Sequence, residues 1–329
     1  MSAAAPTALP HAHRPAPRRR ALLAPDILDV VEDAEAAAAA PAHTMTPAEL
    51  RAAHDREAAA LAGPGPRLAS VGDLVAPGPH GWLPMRAYAP VRGSGLPVVA
   101  YFHGGGWTVG SIASFDAVAR ELAAASRALV VSVGYRLAPE HPFPVPVDEA
   151  AAAIRWLAAN ARVLGGDGSR LAVAGDSAGA NLAAVAARRL RDQDGPALRM
   201  QALVYPVCDA ALDTPSAAQF AEGFGFTAAA MRRYWDLYLA GADGAQPDAS
   251  PLRAADLTGL PPAFVATAEA DVLRDEGEAY GAALRAASVR ATIRRYPGTV
   301  HGFWRWLARS RAAGRAVGEV GAALRAALT

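Results

Sequence analysis

From Leu68 onward the apolar residues fall into short runs separated by turn-forming residues. Leu68 to Val75 and Leu83 to Tyr88 read as two strands joined by a Gly/Pro turn, an expected antiparallel hairpin. Strands then alternate with helices. Pro97 to Phe102, Ala128 to Val133, Leu171 to Ala174 and Ala202 to Tyr205 are predicted strands; Ser114 to Ala125, Val147 to Ala159 and Ala178 to Arg191 are predicted helices. Runs this short and this apolar suit parallel strands buried on both faces by helices. The alternation breaks between about 209 and 247, a stretch carrying Phe220, Phe224, Phe226, Met231, Tyr234, Trp235 and Tyr238 partly at helical spacing. It resumes with strands at Pro262 to Thr267 and Ala291 to Arg295, a helix at Asp275 to Ala287, and a last helix near the C-terminus. With no internal repeat, the break reads as an insertion within one α/β domain.

Two helices are expected before the hairpin, the first over Pro25 to Ala39. The second has a marked start: Thr46 as N-cap, Pro47 at the first helical position and Glu49 three residues after the cap. In such a capping box each partner satisfies a backbone N–H of the other, and proline loses nothing where its missing N–H would be unpaired anyway. Residues 1–24 are rich in Ala, Pro and Arg without periodicity and are expected to form a disordered leader. Arg18, Arg19 and Arg20 before Ala21-Leu22-Leu23-Ala24 look like the start of an export signal. Asp26, Asp29, Glu32 and Asp33 interrupt it before any long apolar region, so a cytoplasmic location is expected.

Composition narrows the classes of function. The chain has 329 residues, 52% of them hydrophobic, enough for one large α/β core. A formal net charge of +1 provides no field to draw nucleic acid. One cysteine, Cys208, cannot form an internal disulfide. No apolar run reaches the roughly 20 residues of a membrane helix. No clustered His/Cys spacing suggests a metal and no Walker-type loop suggests a nucleotide, so no cofactor is expected.

The sharpest chemical signal is Gly175-Asp176-Ser177-Ala178-Gly179, between a predicted strand and a predicted helix. A serine on a tight strand-to-helix turn is lifted out of the sheet, and the flanking glycines leave room for the helix to approach the strand. The helix N-terminus then points free N–H groups and partial positive charge at the reacting centre. A second signal, His103-Gly104-Gly105-Gly106-Trp107, follows directly after a strand. Glycine backbone N–H groups can turn toward a developing oxyanion, so Gly104 and Gly105, with Ala178, are the expected donors. His103 is expected to hold the loop.

A serine nucleophile needs a base that titrates near neutral pH. Of the eight histidines, His301, in Gly298-Thr299-Val300-His301-Gly302-Phe303, follows the last predicted strand. The carboxyl edge of an open α/β sheet is where such sites form. The acid should fall between Ser177 and His301, again after a strand. Asp271 is the first choice and Glu269 the competitor. Asp275 and Glu276 suit the start of the following helix.

Together these segments resemble the hormone-sensitive-lipase-like (bacterial family IV) esterases of the α/β-hydrolase fold. The likeness runs from about residue 68 onward. It rests on His103 to Trp107, on Tyr135-Arg136-Leu137-Ala138-Pro139-Glu140-His141-Pro142-Phe143-Pro144, on Gly175 to Gly179, on Ser250-Pro251-Leu252, on Asp271 to Gly277 and on His301-Gly302-Phe303. Val272 stands where the family usually has proline. The resemblance implies a triad of Ser177, Asp271 and His301, and a helical cap built from residues 25–62 and about 209–247 over a hydrolase domain spanning 63–329. It also implies hydrolysis of a small-molecule carboxylic ester, short- to medium-chain in its acyl part, through an acyl-enzyme. Trp107, Phe224, Phe226 and Trp235 are candidates to line the pocket, against the alternative that they are packing of the cap. A homodimer is the candidate assembly. Amide or lactone cleavage and acyl transfer would use the same residues. Plant hormone receptors of this fold bind without turnover, but typically lack the histidine that His301 supplies.

Overall fold

The computed structural model describes residues 21–38 and 40–329. Its centre is an eight-stranded sheet in the order β1-β2-β4-β3-β5-β6-β7-β8. The strands are β1 (Ser70–Gly78), β2 (Gly81–Ala89), β3 (Leu96–Phe102), β4 (Leu129–Val133), β5 (Gly166–Asp176), β6 (Gln201–Val204), β7 (Ala263–Ala270) and β8 (Ala291–Val300). β1 and β2 form the expected antiparallel hairpin, and β2 is antiparallel to β4. From β4 through β8 all neighbours are parallel. Every residue of β4 and of Val98–Phe102 in β3 is buried, as a strand covered on both faces requires.

The covering helices are α3 (Asp116–Ser126), α4 (Val145–Asn160), α5 (Ala178–Asp192), α8 (Arg274–Ala286) and α9 (Arg311–Leu328). α3 packs against α9, α4 against α5, and α8 against β7 and β8. Their small residues allow this closeness: a Cβ at Gly321 of α9 would collide with Ala125 of α3. Among the described residues, no helix is long and apolar enough to cross a membrane.

Among the described residues, the helices α1 (Pro25–Ala37) and α2 (Pro47–Leu61) precede the sheet. The capping box of α2 forms as expected: Thr46 Oγ1 accepts from Glu49 N–H at 3.3 Å and Glu49 Oε2 accepts from Thr46 N–H at 2.8 Å. Most of the leader expected over residues 1–24 lies outside the described residues. Its last part is not loose: Leu23 is buried, and Ala24 N–H donates to Gly298 C=O at 2.9 Å. Leucine at this position is removed from water against the body of the domain, which a composition-based reading does not register.

The interruption between β6 and β7 contains α6 (Pro215–Gln219) and α7 (Ala228–Leu239), each started by a threonine cap, Thr214 and Thr227. α7 touches the short turn at Ala42–Thr44, so the insertion and the N-terminal helices meet. Arg51 of α2 reaches down to the glycine loop and the Tyr135 to Pro144 segment. It donates to Thr108 C=O at 2.9 Å, to Ala138 C=O at 3.1 Å and to Glu140 Oε1 at 2.8 Å.

Candidate active site

The carboxyl ends of β3, β5, β7 and β8 deliver His103, Ser177, Asp271 and His301 to one edge of the sheet. Ser177 sits between β5 and α5 with φ 54° and ψ −121°. A non-glycine residue in that region is strained, and such strain is held only where the surroundings impose it. The surroundings are close: a Cβ at Gly179 would run into the carbonyls of Phe102 and His103, so only glycine lets α5 come this near β3. Ser177 N–H donates to Val204 C=O at 2.8 Å, fixing the turn to β6.

His301 Nε2 lies 2.9 Å from Ser177 Oγ, and His301 Nδ1 lies 2.8 Å from Asp271 Oδ2. The other oxygen of Asp271 accepts from Leu273 N–H at 2.9 Å. Asp271 is buried and Ser177 is 6% exposed. The ring of His301 contacts two aromatics, Tyr205 at 4.5 Å and Phe226 at 4.5 Å, the latter stacked at 25°. Glu269, the competing acid, does not approach His301; its carboxylate accepts from Gly298 N–H at 2.7 Å. Asp275 and Glu276 begin α8, and each also serves a neighbour. Asp275 accepts from Ser216 N–H at 2.8 Å, and Glu276 from Cys208 N–H at 2.7 Å.

The glycine loop departs from expectation at one residue. Gly104 N–H donates to Asp176 Oδ1 at 3.0 Å, so it is already engaged and is not a free donor for a ligand. Gly105 and Gly106 follow with φ +115° and +56°, and no acceptor among the described residues engages their N–H groups. The same holds for Ala178, the first residue of α5, whose N–H has no partner within its own helix. His103 holds the loop as expected. Its Nδ1 lies 2.8 Å from Gly104 O, its carbonyl accepts from Tyr135 O–H at 2.7 Å, and its ring stacks on Tyr135 at 4.4 Å. Burial pushes its imidazole down to about 4, so it stays neutral where enzymes ordinarily work.

Of the four aromatics expected near the pocket, three are packing positions. Trp107 is wholly buried, stacked on Tyr238 at 3.9 Å and against Trp235 at 4.7 Å; Phe224 packs on Phe220. Phe226 is the one of the four whose ring contacts a residue of the Ser177–His301–Asp271 chain, stacked on His301. Three further residues are not singled out by local pattern. Tyr205 O–H lies 3.3 Å from Asp176 Oδ2 while its ring touches His301. The ring of Tyr234 covers Gly106, where a Cβ would fall inside it, and stacks toward Phe226 at 6.2 Å. Arg305, just past His301, donates to Glu57 Oε1 and toward His54 Nε2, both at 3.0 Å, tying α2 to this loop. Tyr205 follows a strand and Arg305 closely follows His301, but neither position has a sequence signature of its own.

Comparison with known proteins agrees with this architecture. A family model described as the alpha/beta hydrolase fold matches residues 99–305. The chain is 45% identical over 251 residues to Carboxylesterase NlhH of Mycobacterium tuberculosis, covering 75% of this chain and 79% of that one. It is 36% identical over 295 residues to an ethyl acetate hydrolase of Pseudomonas putida, covering 86% and 92%. Among solved structures, an alpha/beta hydrolase enzyme from the metagenome of Lake Arreo, Spain, superposes with a TM-score of 0.90 at 38% identity, covering 93% of this chain and 98% of that one. With a matching family model and relatives this similar over most of their length, the chain belongs to the α/β-hydrolase family, in its hormone-sensitive-lipase-like branch.

Proposed function

We propose that the protein is a serine carboxylesterase in which Ser177 is the nucleophile, His301 the general base and Asp271 the acid that orients it. The observation that carries this reading is the continuous chain Ser177 Oγ, His301 Nε2, His301 Nδ1, Asp271 Oδ2, with contacts of 2.9 and 2.8 Å. With the Nδ1 proton directed at the carboxylate, Nε2 is free to accept the serine proton. Ser177 Oγ attacks the ester carbonyl as His301 takes that proton. The oxyanion is met by the N–H groups of Gly105, Gly106 and Ala178, each such donor worth roughly 3 kcal/mol of barrier. His301 then protonates the departing alkoxide, leaving an acyl-enzyme. A water deprotonated by His301 attacks the acyl carbon, and Ser177 recovers its proton as the carboxylic acid leaves.

Residues 25–62 and 209–247 form the cap over this centre. Support comes from the contact of α7 with the Ala42–Thr44 turn and from Phe226 and Tyr234 of the insertion lying on His301 and Gly106. With aromatic rings so near the reacting atoms, the acyl preference is for short to medium chains. The name of the Pseudomonas relative, an ethyl acetate hydrolase, points the same way. The ligand-receptor reading is disfavoured, because the base is present and in contact with the nucleophile.

The test is turnover of p-nitrophenyl esters from acetate to dodecanoate by the parent and by Ser177→Ala. The parent should peak at short or medium chains, and the variant should lose activity by up to roughly a millionfold. A folded Ser177→Ala with the parent's rate would overturn the assignment. A parent that turns over no ester but cleaves amides or lactones, or passes its acyl group to an added alcohol, would move the reading to those reactions.

A further inference from the structure

β7 and β8 keep one offset for most of their length: Ala263 pairs with Ala291 and Ala268 with Tyr296. The offset then changes, and Ala270 pairs with Val300. Two steps along β7 are thus matched by four along β8, and Pro297, Gly298 and Thr299 bulge opposite Glu269. On the first offset Asp271 would face Thr299, with His301 two residues farther on. On the second, Asp271 and His301 each follow directly after a matched pair, and their side chains meet at 2.8 Å.

A bulge leaves backbone groups outside the ladder, and where these are buried they need other partners. Three such groups have partners here. Gly298 N–H donates to Glu269 Oε2 at 2.7 Å. Gly298 C=O accepts from Ala24 N–H at 2.9 Å. Tyr296 C=O accepts from the Thr299 hydroxyl at 2.7 Å. Gly298 has φ +71°, and a Cβ there would lie 2.8 Å from Ala24 N, so the position suits glycine alone. Arg274 Nη1 in turn holds Glu269 C=O at 3.1 Å.

We infer that Glu269 is a positioning residue for ester hydrolysis: its carboxylate pins the bulge at Gly298 and so brings His301 into register with Asp271. The inference rests on the triad reading above. Glu269 contacts no reacting atom and acts only through the placement of the base.

The experiment compares the parent, Glu269→Ala, Glu269→Gln and Ser177→Ala on the parent's best p-nitrophenyl ester. The parent and the Glu269 variants are also timed for phosphonylation of Ser177 by an alkyl fluorophosphonate, a displacement of fluoride that needs the same base. Glu269→Ala should lower kcat by up to about 100-fold, the scale of a misplacement near 1 Å. Its KM should be unchanged, and phosphonylation should slow in parallel. Glu269→Gln retains an oxygen for Gly298 N–H and should recover most of the rate. A folded Glu269→Ala with parental kcat, a loss confined to KM, or a glutamine variant as impaired as the alanine one would each overturn the inference. Should Glu269→Ala not fold, Glu269→Asp, which withdraws the carboxylate by one methylene, is read against Glu269→Gln in the same way. An inactive Ser177→Ala beside a fully active Glu269→Ala would overturn this inference while leaving the triad in place; an active Ser177→Ala would remove the triad itself.

Discussion

The backbone N–H of Gly104 donates to the carboxylate of Asp176 at 3.0 Å, joining the glycine loop after β3 to the residue beside Ser177. Asp176 also accepts from Tyr101 O–H at 2.7 Å, and Tyr205 O–H lies 3.3 Å from its second oxygen. One buried side chain therefore fixes the first residue of the glycine loop and reaches one of the two rings around His301. Burial pushes its carboxyl up, opposed by the hydrogen bond from Tyr101 and the charge of Arg305.

Asp176→Ala should be costly in both stability and rate. It would leave Gly104 N–H and Tyr101 O–H buried without an acceptor, at about 1–3 kcal/mol each. Urea unfolding should show a loss of that order, and kcat should fall as the loop loses its anchor. Asp176→Asn preserves shape and one acceptor oxygen and should lie between the two. An alanine variant that unfolds at the parent's urea concentration would show that Asp176 does not hold the loop.

Much of this site was readable from sequence because its signals are local. A strand, a Gly-x-Ser-x-Gly turn and a helix can be arranged in few ways, and Ser177 emerges where that turn puts it. The capping box at Thr46 is likewise complete within four residues. What was not readable depends on distant partners. Gly104 was expected to donate to a ligand, but Asp176 comes within hydrogen-bond range only when β3 and β5 pair. The last strand was expected to end at Arg295. Instead it continues through a bulge to Val300, because Glu269 and Ala24 satisfy what the proline and glycine interrupt. The aromatics of the insertion looked alike in sequence. Their roles divided only when folding buried Trp235 and Phe224 and set Phe226 on His301.

That division can be tested by substitution. Trp235→Ala and Phe224→Ala each remove a buried ring, which typically costs about 3–5 kcal/mol. Both should lower the melting temperature while leaving the order of preference among p-nitrophenyl esters as in the parent. Phe226→Ala removes a partly exposed ring from the face of His301, so its stability cost should be smaller. It should change the chain-length profile and lower kcat, since water gains access to the imidazole. Equal profiles for all three variants would place Phe226 with the packing residues.

The link from α2 to the loop after His301 should also be measurable. Glu57 Oε1 accepts from Arg305 Nη2 at 3.0 Å and from Trp306 Nε1 at 3.1 Å, and Ala308 N–H donates to Leu61 C=O at 3.0 Å. Glu57→Ala leaves a largely enclosed guanidinium and an indole N–H without that acceptor. Because Glu57 is itself about one-third exposed, water recovers part of the loss, and roughly 1–3 kcal/mol is expected. Glu57→Gln can still accept one of the two bonds and should cost less. Hydrogen exchange in α2 should quicken in the alanine variant; unchanged exchange there would mean that Glu57 does not hold the helix.

Acid should act on the fold through His54. Burial pushes its imidazole down to about 2, with Arg305 and the His103 ring acting in the same direction. Its ring stacks on Phe115 at 5.7 Å, and its Nε2 faces Arg305 Nη1 at 3.0 Å. In the unfolded chain a histidine takes up a proton as pH falls through about 6.5, whereas folded His54 remains neutral. The unfolded state then binds more protons, so this contribution is complete above pH 6.5 and is lost progressively below it. Buried Glu276 acts in the opposite sense. Its carboxyl is pushed well above the usual range by burial, so its contribution is present at low pH and lost as pH rises through its folded value. The parent's total slope therefore mixes signs, and the useful reading is a difference. His54→Gln keeps an acceptor for Arg305 but cannot titrate. It should be less stable than the parent at pH 7.5, where the lost stacking dominates. Between pH 6.5 and 4.5 that deficit should shrink by up to about 1.4 kcal/mol per pH unit, one proton's worth. Urea unfolding of both proteins across this range gives the two stability curves. Convergence toward low pH would establish that His54 is held neutral by the fold; parallel curves would show that it titrates alike in the folded and unfolded chain.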